Sequence, residues 1–345
     1  MSQASTAPLR KGPRVQISKG LLTIVVSTVV LFALCAAVAP SSVAGGTILG
    51  MLPFAAILGI VGLGQMLVIQ QAGIDLSVPG AVSLAIVIVS HEPNGDSSKL
   101  LPAVFLALAY AIGAGLLNGF LIGIMKLNPI IATLGTNALL FGAVMFISNG
   151  IPRTTTALLN QIGGGVSLGI PNAVFFALAA LAFVVFMLRM TVAGRRFESI
   201  GSSAPVAKVI GLRAQTHQGL AYVWAQLLYA LAGIVLAGVT NQPTAFMGNS
   251  YMLPSVAVVV LGGTSLLGGR GMPTATILSA LFLTQLDQFV LALGVNFAVR
   301  TLVQAAALAI GVAIYTVDWA RLRSSIRELL SASSRGQKQA SLPSA

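Results

Sequence analysis

The chain has 345 residues, of which 56% are hydrophobic and only 8% charged, with a mean hydropathy of +0.94. A soluble domain carries roughly 25% charged residues to cover its surface, so this composition excludes a water-soluble fold and makes lipid the solvent. The net charge of +12 sits in short polar segments without aromatic interleaving, which argues against a nucleic-acid partner and for basic loops that fix orientation in a bilayer.

A hydrocarbon core about 30 Å thick takes around 20 apolar residues per helix. That ruler predicts an all-α polytopic membrane fold with spans near 21–39, 48–69, 77–90, 101–125, 129–148, 172–189, 217–239, 252–267, 273–293 and 297–317. The first follows Arg10, Lys11, Arg14 and Lys19 and ends in Ala37-Val38-Ala39, a pattern shared with signal peptides. Its apolar core is longer than a signal sequence needs, so it reads as a retained span. Cys35 lies within it, and one cysteine forms neither an internal disulfide nor a cysteine metal cluster. We read it as a small residue facing lipid or a neighbouring helix. The third and eighth spans are short.

With the amino terminus inside, sixteen Lys and Arg residues fall on the cytoplasmic side, and only Lys99, Arg153 and Arg300 fall outside. That asymmetry follows the positive-inside rule and predicts ten spans with both termini in the cytoplasm. The chain then divides into a basic N-terminal tail (1–20), one membrane domain (21–318) with a cytoplasmic loop at 190–216, and a polar C-terminal tail (319–345).

Two stretches break the apolar pattern. In QQAGIDLSVPGAV (70–82), Gly73 and Gly80 permit close approach, Asp75 or Ser77 can cap the next helix, and Pro79 suits a first helical turn. The stretch reads either as a capped loop or as a broken helix lining a pathway, since non-helical backbone at membrane depth survives only within protein or along a cavity. Gly262-Gly263-Thr264-Ser265 is a second break at the end of the short eighth span. If the spans form two groups of five, the breaks occupy matching positions, a pointer to a transporter core.

The loop at 190–216 predicts a helix of about two turns. Ser202 or Ser203 caps it, Pro205 enters its first turn and Gly211 stops it. Val206, Val209 and Ile210 form an apolar stripe flanked by Lys208 and Arg213. Such a helix docks into a groove on a partner or lies on lipid headgroups. Arg195 and Arg196 are expected to anchor the end of the sixth span, with Glu198 pairing with either of them. Ionisable groups inside spans are costly, and Asp287 with Arg300 is expected to form a structural ion pair across the last hairpin. Gln285, Gln288, Asn118, Asn137 and Gln226 offer amides to a passing solute. The chain carries no Walker A sequence, no His-Glu-x-x-His, and no carboxylate pair at helical spacing, so nothing points to an enzyme or a metal site.

GIDLS (73–77), NPIIATLG (128–135), GRRFESIG (194–201), PVAKVIG (205–211) and VVLGGTSLLGGRG (259–271) occur in this order. Together, over about 50–317, they resemble the integral membrane permeases of ribose-type ABC importers. The resemblance implies a type II ABC importer-like fold in a bacterial inner membrane and no cofactor of its own, ATP being bound by a separate cytoplasmic ATPase. It also implies a periplasmic substrate-binding protein and a second permease subunit as partners. Coupling to the ATPase would fall to Pro205, Val206, Ala207, Lys208, Val209, Ile210 and Gly211. Pathway or broken-helix candidates are Gly73, Asp75, Ser77, Asn128, Thr133, Gly262, Gly263, Thr264, Gln285 and Gln288. The chain departs from the family where Pro79 follows GIDLS and where Pro205-Val206-Ala207 replaces Glu-Ala-Ala, so a charged contact of the family is absent or replaced. The competing readings are a branched-chain amino acid permease of the same superfamily and a self-contained secondary transporter.

Overall fold

The computed structural model describes residues 19–296, 298, 299, 301–303, 305, 306 and 309. α1 (Lys19–Val38) leads through a 3-10 turn to α2 (Gly45–Gln70) and the short α3 (Val78–His91). α4 (Leu100–Asn118) continues as a π-helical turn, Gly119–Ile124, and α5 (Pro129–Ser148) follows. The 149–171 segment holds a single turn, α6 (Ala157–Leu159), and a two-residue hairpin of β1 (Val166–Ser167) and β2 (Ile170–Pro171). α7 (Asn172–Met190) precedes two short helices, α8 (Val192–Ser202) and α9 (Ala204–Val209). α10 (Ala214–Thr240), α11 (Met252–Leu261) and α12 (Pro273–Ala292) complete the described elements.

Among the described residues, seven helices are long and apolar enough to cross a membrane, and α3 and α11 are shorter apolar helices. Nine of the ten expected spans are therefore present, and most of the tenth, 297–317, lies outside the described residues. The eighth ends earlier than expected, at Leu261 rather than 267, because Gly263 adopts φ +83°, a conformation that stops a helix.

Helices that are apolar on every side belong in the interior, and α2, α3 and α10 occupy it here. α1, α4, α5 and α7 surround them and turn Val29, Phe105, Phe146 and Phe186 outward toward the lipid zone. Small residues set the α4–α10 distance. Gly115, Gly119 and Gly123 recur every four residues, and a Cβ at Gly119 would sit 2.9 Å from the Gly219 carbonyl oxygen. In lipid, such small-residue seams let backbones approach and carry the packing energy. Gly119→Leu is expected to force α4 off α10 and leave no monodisperse protein in detergent. Gly113→Leu should be tolerated, because none of the described residues lies within 4 Å of a Cβ there. Size-exclusion profiles of the two variants check this pair.

Alternate loops gather at opposite ends of the bundle. At one end the His91 Nε2 lies 3.0 Å from the Ile151 carbonyl oxygen and Thr155 N donates to Asn241 O at 2.8 Å. At the other end Gln71 Nε2 donates to Phe197 O (2.9 Å), Lys126 Nζ to Gln218 Oε1 (3.4 Å), and Arg270 pairs with Glu198 (3.2 Å). This is the alternation that consecutive spans require.

Candidate functional site

α2 ends at Gln70, Ala72 takes a left-handed turn at φ +59°, and residues 73–77 then run without helical structure back into the bundle. Leu76 N donates to Thr133 Oγ1 (2.9 Å) and Gly80 N to Asn137 Oδ1 (2.8 Å). Thr133 lies one turn into α5, about 6 Å at 1.5 Å per residue, so the non-helical segment occupies membrane depth. That accounts for the shortness of α3: its 14 residues rise only about 21 Å, and the preceding segment crosses the rest. Gly73 is required where the chain turns inward, since a Cβ there would lie 2.4 Å from the Tyr222 hydroxyl.

Exposed backbone in lipid costs several kcal/mol per unpaired group, and side chains meet that demand here. The Gln65 carboxamide fits its neighbours with Oε1 accepting from Asp75 N (3.2 Å) and Nε2 donating to Asp75 O (3.1 Å) and the Tyr229 hydroxyl (2.9 Å). Asp75 Oδ1 accepts from Ser77 N at 2.9 Å and from the Ser77 hydroxyl. Ser77 Oγ in turn accepts from Gln226 Nε2 (2.7 Å) and Asn118 Nδ2 (3.2 Å), and Asn118 Oδ1 accepts from Thr136 Oγ1 (2.6 Å). Asp75, Ser77, Asn118, Thr133 and Gln226 are each at most 1% exposed. The network ties α2, α4, α5 and α10 to the non-helical segment and is closed to solvent in this conformation. Gln65, Thr136 and Tyr229 were not singled out from the sequence. An amide inside an apolar helix seeks a hydrogen-bond partner across helices, and Gln65 carried that signal.

The second break meets the first. After Gly262 and Gly263, the buried Thr264 accepts from Met272 N through Oγ1 (3.3 Å), and Gly269 N donates to Gln70 O (3.1 Å). Gly201 packs on the same carbonyl, where an added Cβ would lie 2.2 Å away. Gln70–Ala72, just ahead of GIDLS, thus meets parts of GRRFESIG and of the glycine-rich stretch. Glu198 ties the same region together through Arg270 (3.2 Å) and Arg189 (3.9 Å). The expected pairing with Arg195 or Arg196 is corrected, since both arginines lie on exposed positions of α8 rather than at the end of α7.

α9 carries the expected signals. Ser203 Oγ accepts from Val206 N at a long 3.5 Å, Pro205 lies in the first turn, and Gly211 ends the segment at φ +81°. Ala207 is 2% exposed and packs with Ile200 and Ala214, which fastens the helix to the fold. Val206, Val209 and Ile210 face outward at 61%, 88% and 67% exposure.

The profile of the family described as "Branched-chain amino acid transport system / permease component" matches residues 47–313. The chain belongs to this permease family. It is 34% identical over 262 residues to the ribose import permease protein RbsC of Bacillus subtilis, covering 74% of this chain and 80% of that one. It is 31% identical over 300 residues to RbsC of Escherichia coli, covering 84% and 91%. The autoinducer 2 import system permease protein LsrC of an Enterobacter species is 33% identical over 263 residues, covering 74% and 75%. No solved structure matches the chain.

The remaining candidates of the permease lie apart from the network. Asn128 is exposed and caps α5 by accepting from Ile130 N (2.9 Å). Gln285 turns toward α1, its Nε2 donating to Ser42 O (3.3 Å) and lying 3.4 Å from the Cys35 sulfur. It is separated from Asp287 and Gln288, which line a cavity of ≈ 290 Å³ with Ser250 and Tyr251. Arg300, the expected partner of Asp287, lies outside the described residues.

Proposed function

We propose that the permease translocates a sugar or similar polyol, delivered by a periplasmic binding protein and driven by ATP hydrolysis on a separate cytoplasmic subunit that docks on α9. The observation that carries the reading is the uncovered apolar face of Val206, Val209 and Ile210, presented on a helix whose opposite side is locked in place by Ala207. Family membership and the sugar-import names of the relatives supply the substrate class. The Gln70–Ala72 junction supports coupling, because it touches α8, the glycine-rich loop and the start of the non-helical segment together. Movement of α8 and α9 with a bound ATPase would reach the network through it. In this reading the α8–α9 end of the bundle faces the cytoplasm, both termini are cytoplasmic, and a second permease subunit completes the membrane unit.

Three measurements bear on the reading. Reporter fusions at Asn94 and Asn160 should give periplasmic signals and a fusion at Ser203 a cytoplasmic one; a cytoplasmic signal at Asn160 contradicts the orientation. The purified permease alone should hydrolyse no ATP, and robust hydrolysis by it would sink the two-subunit account. Calorimetry on the periplasmic binding protein that serves the permease should detect a monosaccharide or polyol. The second reading takes its substrate from the family description, and tight binding of leucine without sugar binding would favour it.

A further inference from the structure

A cavity of ≈ 380 Å³ opens at the α8–α9 end of the bundle, between the non-helical segment, α9 and α10. Lys126 and Lys208 line it, with Gln71, Gly73, Gln218 and Tyr222. Among the described residues no acidic side chain lines this cavity, and the carboxylate of Asp75 is buried and engaged by Ser77 and Gln226. Lys126 is held in a left-handed backbone conformation (φ +60°) beside Gln218. Partial burial, and then the neighbouring Lys208 ammonium, push the Lys126 pKa below its usual value. Two exposed ammonium groups thus line one concave site with no counter-charge among the described residues, and a bound anion would relieve the repulsion between them.

The polar groups around the lysines narrow the ligand. Tyr222 is 2% exposed, and its hydroxyl makes no hydrogen bond within the described residues. Gln71 is 8% exposed, with Nε2 committed to Phe197 O and Oε1 lacking a partner. A buried acceptor without a partner is costly, so Gln71 Oε1 gains from a ligand that donates to it, and the Tyr222 hydroxyl offers such a ligand a further donor. Lysine ammonium and tyrosine O–H groups donate to phosphate oxygens. The Gln71 carbonyl accepts, and a bare phosphate dianion gives it nothing, whereas a ligand hydroxyl does. The volume falls within the ≈ 300–1,000 Å³ range of small-molecule sites.

We propose that this cavity binds a soluble phosphate ester of a small polyhydroxy compound, with its phosphate between Lys126 and Lys208 and a hydroxyl on Gln71. The choice of a sugar phosphate among such esters rests on the sugar-import reading. The site would then let a phosphorylated sugar on the ATPase side hold α9 against the non-helical segment, placing intracellular product in contact with the coupling helix.

The test uses the full-length permease in phosphatidylcholine nanodiscs and calorimetric titration with ribose 5-phosphate, ribose and inorganic phosphate. Ribose 5-phosphate should bind, with ribose and phosphate each about tenfold weaker or more. Losing one charge-assisted contact corresponds to about tenfold in affinity, so Lys126→Gln should weaken the ester about tenfold, and Lys126→Arg should retain most of the binding. Tyr222→Phe should weaken it several-fold. No binding to the wild type, equal binding to Lys126→Gln, or equal affinity for inorganic phosphate overturns the proposal. Loss of ester binding when phosphatidylglycerol is added to the nanodisc identifies a lipid headgroup as the occupant and also overturns it. Sugar uptake by the assembled transporter, measured separately, shows whether a failure belongs to this site or to the import reading.

Discussion

Val209→Asp is expected to strip the ATPase from the purified permease and abolish uptake while leaving membrane insertion unchanged. Val209 is 88% exposed, so the fold does not depend on its packing. In the proposed docked complex the same side chain would enter a partner groove, where an unpaired carboxylate costs several kcal/mol. About 2.8 kcal/mol is a hundredfold in affinity, enough to lose the subunit during purification. Pro205→Ala should be far milder, because alanine also suits a first helical turn and Ser203 keeps the cap. Co-purification of the ATPase with each variant, alongside uptake in cells, reads the effect. If Val209→Asp retains its ATPase and transports at the normal rate, α9 rests on lipid headgroups instead.

Asp75→Leu is expected to be the most damaging single change within the membrane. It removes the acceptor for Ser77 N and Oγ, as well as the contact with Gln226 Nε2. Two such donors left unpaired, at about 1–3 kcal/mol each, cost about 2–6 kcal/mol, a large share of a typical stability of ~5–15 kcal/mol. Asp75→Asn keeps an Oδ1 acceptor and should retain most of the folded protein. Thermal midpoints and monodisperse yield in detergent should therefore fall steeply for leucine and modestly for asparagine. A wild-type midpoint for Asp75→Leu would mean that the network does not hold the non-helical segment.

The membrane spans were legible because lipid imposes one rule on every helix: sufficient apolar length. The shortness of α3 and α11 was legible for the same reason, as were the cap, entry and stop of α9 at Ser203, Pro205 and Gly211. Partner choice was less legible. Glu198 was expected to use its sequence neighbours, yet it reaches Arg270 across the bundle end, because the Gln70–Ala72 junction brings residues far apart in sequence together. Gln285 resembles Gln288 in the sequence but lies on the face of α12 that meets α1. Only two residues separate them, and only the packing of the bundle says which of the two faces a cavity. The choice between capped loop and broken helix at 70–82 also needed the structure, since it turns on the depth at which Leu76 meets Thr133. Gln65 shows what was overlooked: its amide lies deep in α2, and its partner is the backbone of Asp75.

The central claim, that this chain is the membrane subunit of an ATP-driven sugar importer, is tested most directly by reconstituted uptake. Proteoliposomes would hold the permease with its partner ATPase, the matching binding protein outside, and a radiolabelled sugar that this binding protein binds. The account predicts accumulation only when ATP is present on the ATPase side and the binding protein is present on the other. Accumulation by the permease alone, without ATP or binding protein, would contradict it.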